Sequence, residues 1–216
     1  MTPDQLSPLS LAALGIFGEG PTHPYEVYRL MLSRREDRVV KLRPGTLYHA
    51  IAKLEQAGQV DVVGTDRDGN RPERTTYKIT AKGRATLTGT VRQMLERPIY
   101  EFPQFPVALG EAHALPVEVA RQAVVDRRSL LATELAAQDT GVQTIQAKQL
   151  PRIYWLDVSY QRAMVVAELA WLDQLLSDLD TGVVDWTDRT VDHHSVDVDS
   201  FHVPTPLHPE LPPRKA

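Results

Sequence analysis

Cysteine is absent from the 216 residues, which excludes disulfides, a thiol nucleophile and a zinc site built on thiolates. No apolar run approaches the roughly 18 residues that a bilayer span needs. The first residues also lack the basic-then-apolar order of an export signal, so the chain is expected in the cytoplasm with no membrane partner. A phosphate-binding loop, a nucleophile elbow and the HExxH zinc motif are all missing, and Gly18-Glu19-Gly20 has no strand before it to make a dinucleotide fingerprint. These absences point away from an enzyme, and no catalytic residue, cofactor or metal is expected. What remains, with 42% hydrophobic residues, is a chain long enough for one or two domains with a real core.

A net charge of -4 argues against nucleic acid until it is divided along the chain. Residues 1–97 hold 15 Lys and Arg against 11 Asp and Glu, whereas residues 98–216 hold 9 against 17. Cations are therefore concentrated in the first half, where counterion release would supply affinity for a phosphate backbone.

Within that half, the stretch from Arg43 to Gly58 predicts a helix. Pro44 suits the first helical position, because its missing N–H would have no intrahelical partner there. Gly58 suits the exit, since glycine takes the left-handed conformation without a Cβ penalty. Leu47, Ala50, Ile51 and Leu54 follow the spacing of a buried face. Thr46, His49 and Lys53 are left on the other side with Tyr48 at its edge, a set suited to base edges and phosphates. An ordinary amphipathic helix with a solvated polar face fits the same pattern. Downstream, Gln59 to Gly64 and Thr75 to Thr80 read as two strands, and Asp68-Gly69-Asn70 between them accepts the positive φ of a hairpin turn. Arg67, Arg71 and Arg74 lie on or beside its tip. A helix followed by a basic hairpin is the layout of a winged helix-turn-helix, with the helix in the major groove and the wing along an adjacent backbone or minor groove.

Gly45-Thr46-Leu47-Tyr48, then Leu54-Glu55 and Gly58, then Arg74 and Tyr77-Lys78-Ile79-Thr80-Ala81-Lys82-Gly83, resemble the PadR family of bacterial transcriptional regulators. The resemblance covers about the first hundred residues; the C-terminal half is similar to the longer subfamily in layout. It implies a homodimer that represses from a palindromic operator on double-stranded DNA and is released by a small-molecule effector. The DNA-binding set is then Arg43, Thr46, Tyr48, His49, Lys53, Arg67, Arg71, Arg74 and Lys78. His49 stands where the family commonly carries proline, so a different base preference is implied. A winged-helix protein-interaction module that does not bind DNA is the alternative function.

Elsewhere, Ser7 and Pro8 start a helix that is apolar almost all round and ends at Gly18 and Gly20-Pro21. A second helix from about Tyr25 leads into Arg34, Arg35 and Arg38, which suit either phosphates or a solvated exit. Thr80 is the expected N-cap of a helix after the wing. Pro98, Pro103 and Pro106 among Tyr100, Phe102 and Phe105 mark a packed connector over 98–115. From Pro116 a helix is expected to about Asp139, interrupted at Gly141, with Val142 to Leu150 able to continue it. Another is expected from about Pro151 to Asp180, with Ile153, Leu156, Tyr160, Met164, Ala167, Trp171, Leu175 and Leu179 as its stripe. About seven turns of apolar stripe call for a second subunit more than for one neighbouring helix. Trp155 and Trp171, with Tyr154 and Arg152, are the effector candidates, although large aromatics at helical spacing also serve as core. The tail over 181–216, with His193, His194, His202 and His208, is expected to be disordered. The fold class is therefore mainly α with a small β-hairpin wing: a winged helix-turn-helix over 1–97 and an α-helical dimerisation and effector domain over 116–180.

Overall fold

The computed structural model describes residues 6–66, 74–98 and 103–186. The chain divides into two compact units; among the described residues the first carries four α-helices and a hairpin, the second three α-helices.

The first unit begins with α1 (Pro8–Glu19), where the Ser7 hydroxyl accepts from the Ser10 N–H at 3.1 Å and Pro8 takes the first turn. Helix α2 (Pro24–Ser33) buries Val27 and Met31. A turn in which Arg35 adopts φ 59° leads to α3 (Pro44–Gln56). The end of α3 is a Schellman motif: Gly58, at φ 66°, donates to the Glu55 carbonyl and Gln59 donates to the Leu54 carbonyl, both at 2.8 Å. Strands β1 (Val60–Asp66) and β2 (Arg74–Ile79) pair antiparallel from Val60↔Ile79 to Asp66↔Arg74, with a bulge at Val63. Thr22 adds a rung on the far edge of β2 through two backbone bonds to Tyr77. Helix α4 (Ala81–Glu96) starts on Thr80, whose hydroxyl accepts from the Gly83 N–H at 2.9 Å. One core joins these elements, with Leu14, Phe17, Val27, Met31, Leu47, Ile51, Leu54, Val60 and Ile79 buried in it. Burying such side chains supplies roughly 1.5–3 kcal/mol each before the entropy cost of ordering them.

In the second unit, α5 (Gln104–Gly110) holds Pro106 in its first turn, where the missing N–H costs nothing. Part of the segment expected as connector is therefore helical. Helix α6 (Val117–Ala147) runs straight through Gly141, correcting the interruption expected there. One helical glycine costs only about 1 kcal/mol, and the backbone bonds on either side outweigh it. The residue that does stop this helix is Gln149, at φ 52°, in a second Schellman arrangement with Leu150 donating to Ile145. A single turn (Arg152–Trp155) precedes α7 (Leu156–Thr181).

Helices α6 and α7 lie antiparallel along a ladder of ion pairs. Arg121 meets Asp180 at 2.9 Å, Arg127 meets Glu168 at 2.5 Å, Arg162 meets Asp139 at 2.5 Å, and Arg128 pairs with Asp173. Beyond α7, Gly182 takes φ 74° and the Trp186 indole donates to the Leu115 carbonyl at 2.9 Å. The tail histidines lie outside the described residues.

Candidate nucleic-acid interface

Helix α3 turns Leu47, Ala50, Ile51 and Leu54 into the core and leaves Arg43, Thr46, Tyr48, His49 and Lys53 exposed. Tyr48 retains 49% of its surface. Thr46 keeps its hydroxyl close to the helix start, donating to the Arg43 carbonyl at 2.9 Å. The exposed stripe continues beyond the residues expected from sequence. Gly45, Ala52 and Gln56 fall in line with Tyr48 and His49 at helical spacing, all three exposed. The small residues let the helix axis come close to a surface, and Gln56 adds an amide able to pair with an adenine edge. Extending the period by one more turn would have found Gln56 in the sequence.

The charge pattern on this face is equally specific. Lys41, Arg43, Lys53 and Lys78 are exposed and make no ion pair among the described residues. Lys78 stands across the ladder from Asp61, which offsets part of its charge. The acid of α3, Glu55, accepts from the Tyr77 hydroxyl at 3.2 Å. Burial, followed by the negative Glu55, raises the Tyr77 phenol above its ordinary value, so it stays a donor. Arg34, by contrast, is engaged twice by Glu19, at 2.5 and 2.8 Å, and Arg35 lies 3.6 Å from Asp37. Both belong to a paired surface more than to one waiting for phosphates. Arg67 and Arg71 lie outside the described residues, and of Arg74 only the backbone, at the start of β2, is described.

The segment Tyr77 to Gly83 locks the hairpin and α4 onto the end of α3. Tyr77 packs its ring 6.1 Å from that of Phe17 and bridges to Thr22. Ile79 enters the core. The Thr80 hydroxyl donates to the Gly58 carbonyl at 2.8 Å while capping α4, and the Lys82 ammonium donates to the Ala57 carbonyl at 2.7 Å. That cation sits where the helix dipole of α3 is negative. Residues 13–89, which span these elements, match the transcriptional regulator PadR-like family.

That segment is where the chain is similar to the PadR-like family. Solved structures agree on the fold. Bacillus subtilis PadR in complex with operator DNA is 17% identical, with a TM-score of 0.68 over 79% of this chain and 98% of that one. The same protein in complex with p-coumaric acid gives 16% identity and a TM-score of 0.62 over 81% and 98%. A PadR-like transcriptional regulator from Bacillus cereus gives 13% and 0.58 over 81% and 99%. Comparison with curated proteins finds no match.

The residues expected to hold an effector in this PadR-like chain are not brought together. Tyr154 and Arg152 are exposed in the turn before α7, and the Trp155 indole donates to the Leu150 carbonyl at 3.2 Å. Trp171 lies elsewhere, edge to face with Phe105. It lines a cavity that also includes Trp186, Arg127 and other residues of the second unit. Phe105, Arg127 and Trp186 come from different elements, and no sequence spacing relates them. Among the described residues no helix is long and apolar enough to cross a membrane.

Proposed function

We propose that this PadR-like chain is a homodimeric repressor that binds a palindromic operator in double-stranded DNA and is released by a small aromatic effector. The observation that carries this reading is the outward face of α3, where Thr46, Tyr48, His49, Lys53 and Gln56 stand exposed beside cations that make no ion pair among the described residues. In this reading α3 enters the major groove, Arg71 and Arg74 clamp the flanking backbone, and two copies place their α3 helices about 34–36 Å apart. A regulator of this kind works in the cytoplasm, where the DNA is.

Support for the dimer comes from the second unit. Tyr160 and Met164 keep 66% and 52% of their surface on α7, and Ala120 and Leu172 are the buried apolar residues described there. A two-helix hairpin with so thin a core needs another surface to cover it. The expected roles are thus DNA binding for 1–97, a connector at 98–115, and dimerisation with effector binding for 116–180. The similar structure that holds p-coumaric acid supports an aromatic effector. Release by ~100-fold needs about 2.7 kcal/mol of differential affinity between two dimer states, within reach of one bound ligand.

The test is fluorescence anisotropy of the full chain with the duplex upstream of its own gene and with a scrambled duplex, at two salt concentrations. Tight binding to the first duplex alone is the expected result. No binding to either at low salt would sink the repressor reading and favour a protein-interaction module.

A further inference from the structure

The second unit contains a cavity of about 930 Å³ bounded by α5, α6, α7 and the turn through Trp186. Sites for small molecules occupy about 300–1,000 Å³. Phe105, Leu109, Val124, Trp171, Leu175 and Trp186 are among the residues that line it. The rings of Phe105 and Trp171 meet edge to face at 6.1 Å. Trp171 nevertheless keeps 46% of its surface exposed. An indole held at its packed side and uncovered on another offers a flat apolar surface to a second ring.

Charge narrows the ligand further. The cation in the wall, Arg127, lies 3.6 Å over the Phe105 ring and gives Nε and a terminal nitrogen to Glu168 at 2.6 and 2.5 Å. A ligand carboxylate would have to displace Glu168 and leave that acid without its partner. Asp185 also lines the cavity. Residues 103–186 carry 6 Lys and Arg against 11 Asp and Glu, so the surrounding field disfavours anions.

We propose that this cavity binds a planar aromatic molecule carrying no anionic group. The inference deepens the effector reading above by assigning its site and its charge class. It is tested without DNA, so failure here and failure of operator binding are separate results.

The experiment is isothermal titration calorimetry of the full chain with 2-naphthamide and 2-naphthoate, two probes of one shape that differ in charge. The amide is expected to bind at least tenfold more tightly. Trp171→Ala should weaken it at least tenfold at unchanged helix content, and Trp155→Phe should leave it unchanged. Glu168→Gln, which frees Arg127, should improve naphthoate at least fivefold without changing naphthamide; this variant decides the charge argument even where Trp171→Ala fails to fold. Naphthoate binding as tightly as the amide to the native chain would overturn the proposal, as would saturable binding of neither. If neither binds and Trp171→Ala converts a dimer to a monomer in sedimentation, the cavity seats a second copy of the chain instead.

Discussion

The carbonyl oxygen of Gln59 lies 2.0 Å from the point that a Cβ on Gly83 would occupy. Helix α4 can approach the base of the hairpin only because residue 83 has no side chain. The obstacle is backbone, itself paired to the Thr80 N–H at 3.0 Å, and cannot swing aside. Gly83→Ala is expected to destabilise the first unit by roughly 2–3 kcal/mol. Gly89→Ala on the same helix meets nothing within 4 Å and is expected to stabilise by about 0.5–1 kcal/mol. Thermal melts of the two variants check this pair of opposite signs.

Gln149 holds a left-handed conformation at φ 52° that costs an ordinary residue roughly 1–2 kcal/mol. Gln149→Gly should keep the helix end in place and raise stability by about 0.5–1 kcal/mol after the entropy cost of glycine. A denaturant titration in which the variant is less stable would show that the Gln149 side chain makes a contribution of its own.

Lys53 and Lys78 are exposed without ion-pair partners among the described residues. If they touch phosphates, Lys53→Ala with Lys78→Ala should flatten the slope of log affinity against log salt by roughly 0.9 for each phosphate no longer neutralised. Equal slopes for variant and native chain would remove both from the interface.

Tyr160→Glu with Met164→Glu places two charges on the exposed stripe of α7. The proposed dimer should then dissociate, and sedimentation velocity should report a monomer. A native chain that is already monomeric at micromolar concentration would refute the dimer directly.

Asp173 and Asp180 titrate below their ordinary range because Arg128 hydrogen-bonds Asp173 and Arg121 hydrogen-bonds Asp180; Arg34 does the same to Glu19. Folded values lower than unfolded ones mean that these pairs contribute fully above the ordinary values, ~3.9 for aspartate and ~4.3 for glutamate, and lose their contribution as pH falls through the lowered values. The melting temperature should drop through that acid window. The groups are exposed, so the drop should be small and smaller still at high salt. Asp173→Asn with Asp180→Asn should reduce it; an unchanged acid profile would place the acid sensitivity elsewhere.

Local signals are legible without any knowledge of tertiary packing. Pro44 and Gly58 bracket α3, Ser7 and Thr80 cap their helices, and the Leu47–Leu54 period selects the buried face, because each depends on backbone chemistry within one turn. Sequence by itself therefore determined the order of elements in the first unit, the outward set on α3 and the membership of its motif. Gly141 misled for the complementary reason: a glycine stops a helix only where the next bonds favour a left-handed residue, and here Gln149 takes that role. Only tertiary structure decided that Arg34 is committed to Glu19, that Gly83 must be glycine because Gln59 stands against it, and that Trp171 shares a cavity with Phe105 and Trp186 while Trp155 does not. These depend on groups far apart in the chain meeting in space, and helical period carries no information about which distant partner a side chain will find.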